Sequence, residues 1–285
     1  MDSLSGCLLI NKIKGTTSRQ EVNNVSHALN TKKCGHIGTL DPFATGLLIV
    51  LVGKATKIAP LLEREDKKYI ATLKLGKATD TLDDTGKLIE EKPVPTLTRE
   101  LIKNVFASFI GENEQVPPMY SAVRINGKHL YEYARKGEEI ERKARKINIY
   151  SLELISFEKD SITFLCHVSK GTYVRTLAMD IAQKLGTVGH LVDLNRISIG
   201  EYSLNDKRCI ASKDVKDANL ISVNEMLKDF PSFLVKDKEA FKALNGVKLI
   251  LPIDNVEVLI KDKDGIIALY QKECPNVYKC IRGLR

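Results

Sequence analysis

The sequence predicts an α+β fold: a mixed, largely antiparallel central sheet with a small β-rich appendage at the C-terminal end. Three observations carry this. Strand-like and helical periodicities mix along the chain without the regular βαβα alternation of a doubly wound protein. The composition changes after Pro231, beyond which short strand-like runs dominate. The length of 285 residues, 43% hydrophobic and 28% charged, suits one large domain and a small one and excludes a disulfide-stapled miniprotein.

In chain order, Ser18 is expected to cap a helix carrying Val22, Val25 and Leu29 on one face. Residues 69–76 alternate as a strand, with Tyr69, Ala71, Leu73 and Leu75 on one side. Leu101, Ile102, Val105, Phe106, Phe109 and Ile110 recur at helical spacing, and Gly111 stands where a glycine closes a helix. Residues 147–157 and Ser161–Val168 read as paired strands joined by the turn Glu158-Lys159-Asp160. Residues 173–185 read as a helix closed by Gly186. Ser222 and Glu225 read as a capping box for a short helix ending near Phe230-Pro231. In the tail, residues 256–261 and 266–271 flank the turn Asp262-Lys263-Asp264-Gly265.

Composition narrows the function. The longest uncharged apolar stretch, residues 42–53, is too short for a membrane helix, which needs about 20 residues. The N-terminus MDSLSGCLLINK lacks the basic region and long apolar run of a signal peptide, so a cytoplasmic protein is expected. The six cysteines form no CxxC pair and do not read as a zinc site; reduced structural thiols are expected. The net charge of +8 is unevenly placed: residues 1–59 and 121–150 each carry +4, while residues 60–120 carry −2. Two basic blocks around an acidic stretch fit a polyanionic partner lodged in a cleft between them, or a solvated lysine-rich surface.

Three dense segments hold the candidate chemistry. Residues 34–48 place Asp41-Pro42 among glycines and alanines, which suits either a carboxylate held on a tight loop or a turn-forming acid. Lys170-Gly171-Thr172-Tyr173-Val174-Arg175-Thr176 follows a strand and opens a helix, where backbone N–H groups favour anions; the alternative is a plain turn with a surface arginine. Pro118-Met119-Tyr120-Ser121-Ala122 leads into Asn126-Gly127-Lys128 and Tyr131-Glu132-Tyr133-Ala134-Arg135. Tyrosines interleaved with cations suit stacking on bases, or an amphipathic helix with its rings turned inward. Gly46 to Lys54 fails as a P-loop because its glycines are seven apart and Ala55 replaces the Ser/Thr. With no GxSxG, HExxH or GxGxxG motif, the side chains alone are expected to do any chemistry.

Taken together, these segments resemble the bacterial TruB-type tRNA pseudouridine synthases. Residues 35–48 match the family's GH-x-G-x-LDP-x-ATG-LL loop, and the resemblance implies that Asp41 is the nucleophile. Lys67-Lys68-Tyr69 matches the segment of the active-site tyrosine, and residues 118–135 match PMYSA…NGK…YE-x-AR. Residues 169–176 match SKGTY[IV]RT, implying substrate contact by Lys170 and Tyr173 and an arginine partner for the nucleophile at Arg175. Gly189-His190-Leu191-Val192-Asp193-Leu194-Asn195-Arg196 matches a segment whose leucine, here Leu194, lines the uracil pocket. His36 is implied to contact the RNA loop, or else to structure its own.

The resemblance spans residues 6–200 and departs at Lys12-Ile13, where the family has Lys-Pro. It implies the pseudouridine synthase fold over residues 1–234 and a small PUA-like RNA-binding domain over 235–285. The implied reaction isomerises uridine 55 in the tRNA T loop by base flipping, with no cofactor or metal, in a monomer. A non-catalytic RNA-binding protein and a guided rRNA modifier are the alternatives weighed against it. The short tail and the joint presence of Asp41, Tyr69 and Arg175 favour the tRNA enzyme.

Overall fold

The computed structural model describes residues 4–285, so the first three residues of the N-terminal stretch MDSLSGCLLINK lie outside it. A ten-stranded sheet runs in the order Cys209–Ile210, Gly6–Lys12, Thr45–Val52, Gly189–Ile199, Lys67–Leu75, Ser161–Val168, Arg145–Phe157, Gly111–Gln115. Cys34–Ile37 pairs with Thr45–Val52, and Tyr202–Ser203 pairs with Gly189–Ile199. Two pairings are parallel, Gly6–Lys12 with Cys209–Ile210 and Thr45–Val52 with Gly189–Ile199. The others are antiparallel, which is the mixed, largely antiparallel sheet that the sequence implies.

Burial explains the two kinds of strand. Thr45–Val52 is apolar throughout because both faces are covered. Leu48, Val50 and Val52 pack under helix Ser18–Ala28, while Leu47, Ile49 and Leu51 face the opposite side. Lys67–Leu75 alternates because the helices cover one face: Tyr69, Ala71, Leu73 and Leu75 share a core with Phe106 of helix Arg99–Ala107 and Leu177 of helix Val174–Lys184.

A second sheet of five strands follows the order Ser232–Leu234, Glu257–Asp262, Gly265–Cys274, Val277–Gly283, Leu249–Ile250. Its own core includes Val258, Ile260, Tyr270 and Tyr278. Its other face is no free appendage: Leu259, Ile266 and Leu269 join Leu9, Leu47 and Ile49 of the large sheet. Helix Asp237–Leu244 and strand Val277–Gly283 are additions to the sequence reading. All six cysteines are unpaired. Among the described residues, no helix is long and apolar enough to cross a membrane.

Three local expectations are corrected. Thr17, not Ser18, caps the first helix, in a capping box with Gln20. Ser18 is buried and its hydroxyl goes to the Leu40 backbone instead. Helix Arg99–Ala107 stops short of Gly111, which at φ 102° opens an edge strand rather than closing the helix. Ser222 does cap helix Val223–Met226, but the Glu225 carboxylate pairs with Arg208 instead of returning to the cap.

Candidate active site

The loop from Gly38 to Ala44 is anchored at several points, all short-range polar contacts from buried groups. Ser18 Oγ accepts from Leu40 N at 2.9 Å and donates to Leu40 O at 3.1 Å. The Lys12 ammonium, 0% exposed, donates to Ala44 O at 2.6 Å, Ile13 O at 3.0 Å and Pro42 O at 3.3 Å. Two of those carbonyls lie just past Asp41, so Lys12 fixes the backbone that carries it. Arg196 Nη2 donates to Gly38 O at 2.8 Å. Gly46 lies so close to Arg196 that a Cβ there would stand 2.4 Å from the Arg196 carbonyl oxygen.

Asp41 is thereby presented to the first turn of helix Val174–Lys184. Arg175 Nη2 donates to Asp41 Oδ1 at 2.9 Å, and Arg175 Nε stands 2.8 Å from Oδ2. The same guanidinium donates to Thr81 O at 2.7 Å and Tyr120 O at 2.8 Å, with Asp83 Oδ2 3.6 Å from Nη1. Arg175 is buried, whereas the Asp41 side chain is 32% open to the cavity. Burial pushes the Asp41 carboxyl above its ordinary value, and Arg175 pulls in the opposite direction.

A cavity of about 930 Å³ opens above this pair, and all seven residues expected at the site line it: His36, Asp41, Tyr69, Lys170, Tyr173, Arg175 and Leu194. Tyr69 and Leu194 come from adjacent antiparallel strands, with Tyr69 opposite Arg196 and Leu194 opposite Ala71. Tyr173 is held by Gln115, whose side chain accepts from Tyr173 N at 2.7 Å and donates to Tyr173 O at 3.1 Å. Lys170 is exposed beside the Gly171 turn, where φ is 79°. His36 Nε2 lies 3.2 Å from Thr39 Oγ1. Burial, then Arg19 and Arg196, push the imidazole below its ordinary value.

The wall is strongly cationic, with Arg64, Lys67, Arg145, Lys146, Lys170, Arg175 and Arg196 against Asp41 and Glu63. The second basic block supplies Arg145 and Lys146. The first block supplies no lysine or arginine to the wall: Lys12 lies beneath the loop. Residues 124–134 form the hairpin Arg124–Ile125/Lys128–His129 and the short helix Leu130–Ala134. Its tyrosines are not turned into a core. Lys128 sits over Tyr133 at 5.9 Å, Arg135 over Tyr131 at 5.3 Å, and His129 stacks on Tyr131.

Residues 26–174 match the N-terminal domain of TruB family pseudouridylate synthases. Residues 175–256 match the tRNA pseudouridylate synthase B C-terminal domain. The chain belongs to the TruB family. A tRNA pseudouridine synthase B of Mesoplasma florum is 39% identical over 281 residues, covering 98% of each chain. Another, of Hydrogenovibrio crunogenus, is 47% identical over 247 residues, 86% of this chain and 82% of that one. A chain of a crystallised Cbf5-Nop10-Gar1 complex superposes with a TM-score of 0.76 at 22% identity, over 98% of this chain and 85% of that one, which shows a shared fold. Family membership makes the protein a uridine-to-pseudouridine isomerase.

Within the TruB framework, three contributors to the site escaped sequence reasoning. Lys12 was visible only as half of a departure from Lys-Pro, and Ile13 at 60% exposure shows that the lysine, not its neighbour, is the anchor. Asp83 carried no local mark beyond a pair of acids. Arg196 ends a segment that drew notice for Leu194. Only the register with Tyr69 exposes its place.

Proposed function

We propose that this chain converts uridine 55 in the T loop of tRNA to pseudouridine, with Asp41 as nucleophile toward a base flipped out of the RNA. The observation that carries this is the Asp41–Arg175 pair in a cationic cavity that Tyr69 also lines. The tRNA substrate is supported by relatives named for it at 39–47% identity, and the T-loop position by the motif resemblance.

A carboxylate suits an isomerisation in which the base is released, turned and rejoined, because it can attack and later depart. It must be ionised while screened from water, which Arg175 makes affordable. Extruding the stacked uridine costs roughly a few kcal/mol, offset by stacking on Tyr69 and packing against Leu194. The Tyr69 hydroxyl then manages the proton at C5. Tyr173, Lys170 and His36 contact the surrounding nucleotides, and the cationic wall takes phosphates.

All seven residues come from one chain, so a monomer suffices, acting in the cytoplasm where tRNA matures. We assign residues 1–234 to catalysis and 235–285 to a PUA-like RNA-binding domain. Incubating purified protein with unmodified tRNA transcript and mapping pseudouridine tests the whole reading. A single pseudouridine at position 55 is expected. Binding without product would favour a non-catalytic RNA-binding protein, and product only in rRNA a different synthase.

A further inference from the structure

Among the described residues Arg196 is the largest side chain exposed by less than 2%, at 1%. Burying a guanidinium is expensive unless its donors are satisfied and its charge is used. Its Nε donates to Leu47 O at 2.8 Å and its Nη2 to Gly38 O at 2.8 Å, both neutral carbonyls. Among the described residues it forms no ion pair with a carboxylate. What it faces is Tyr69: the two residues sit directly opposite in the antiparallel register and both line the cavity.

We propose that Arg196 is a positioning residue for Tyr69, holding the phenol oxygen so that it can take the proton that must leave C5 of the uracil. This rests on the proton-transfer reading of Tyr69 given above. Once the C5–C1′ bond has formed, C5 still carries its hydrogen and the ring holds a C6=N1 double bond. Tyr69 oxygen takes that proton. The C–H electron pair becomes C5=C6, and the displaced C6=N1 pair binds a proton at N1. Tyr69 releases its own hydroxyl proton through water to supply it, so the side chain ends as it began.

Negative charge develops on the phenol oxygen as its own proton leaves ahead of the C5 proton's arrival, and the Arg196 cation directly across the strand pair stabilises it. The surroundings otherwise oppose that charge. Burial, Cys166 on the neighbouring strand and Asp41 on the loop all push the Tyr69 hydroxyl up; Arg196 pushes it down. Lys12, Lys67 and His36 flank Arg196 and receive its field. A lysine at 196 would keep the charge but not the planar fork that holds the Leu47 and Gly38 carbonyls while facing Tyr69.

The test is a double-mutant cycle in single-turnover kinetics on tRNA transcript, with Tyr69→Phe, Arg196→Gln and the combination. Arg196→Gln is expected to slow turnover on the order of 10²-fold and to leave tRNA affinity intact. Added to Tyr69→Phe it is expected to cost nothing further. Arg196→Lys should recover part of the loss and, if Arg196→Gln does not fold, runs the same cycle. Losses that multiply in the double variant overturn the Arg196 assignment alone. Tyr69→Phe as fast as the parent overturns the reading of Tyr69 on which it rests.

Discussion

Arg175 faces both oxygens of Asp41, donating from Nη2 to Oδ1 at 2.9 Å with Nε 2.8 Å from Oδ2. The arginine is in turn fixed by Thr81 O, Tyr120 O and the nearby Asp83, so neither partner of the pair is free to turn. A buried cation held this rigidly does two things at once. It keeps a carboxylate ionised in a site that burial would otherwise neutralise, and it aims that carboxylate at the cavity.

Asp41→Asn is therefore expected to abolish pseudouridine formation while tRNA still binds. Asparagine keeps the shape but supplies no nucleophile. Binding by filter retention and product by mapping separate the two effects; appreciable product from the purified variant would remove Asp41 from the role.

The acid limb of the parent's turnover follows from the same pair. Asp41 is raised above its ordinary 3.8 by burial, and only the ionised form attacks. Turnover should thus fall as pH drops through that raised value, and be full above it. Arg175→Gln removes the one strong opposing influence and should move the limb to higher pH, with a large loss of rate at neutrality. Arg175→Lys should also be severely impaired, since a point charge does not replace a planar fork that holds Asp41, Thr81 O and Tyr120 O at once. Rate profiles of the three proteins decide this; a limb unmoved in Arg175→Gln would show that the pair does not control ionisation.

The sheet was legible where burial imposes an alternation on one strand, as in Lys67–Leu75; the unbroken apolar run of Thr45–Val52 has no such period and was not read as a strand. Boundaries that depend on where a side chain finds its partner were not. Ser18 has the right chemistry for a cap but is spent on Leu40, and Glu225 is spent on Arg208. Candidate site residues embedded in dense motifs could be named, since glycine, acid and proline together already constrain a loop. Lys12 and Arg196 could not, because their importance lies in what faces them across 30 residues or across a strand pair.

Lys12 makes a separate prediction about stability. Burial lowers its ammonium from 10.5 to about 8, so the unfolded chain binds this proton more tightly than the folded one. Stability should therefore rise with pH between about 8 and 10.5 and gain nothing from this group below that window. The full effect is on the order of 3 kcal/mol. Lys12→Met should flatten the rise while lowering stability and turnover at pH 7, because the Pro42 and Ala44 carbonyls lose their donor. Thermal melts of both proteins at pH 7 and pH 9.5 measure the difference; equal slopes would dismiss the assignment.

Arg145 and Lys146 begin a strand at the cavity wall and carry no carboxylate partner among the described residues, which leaves them available to RNA phosphates. Each phosphate neutralised releases counterions, so affinity should fall steeply as salt rises. Replacing both residues by alanine is expected to weaken binding of any tRNA about equally and to reduce the slope of log affinity against log salt by about one per residue. Turnover at saturating tRNA should change far less, because neither side chain touches Asp41. An unchanged slope would place the phosphate contacts elsewhere on the wall. A selective loss for one tRNA sequence would mean instead that these cations read bases.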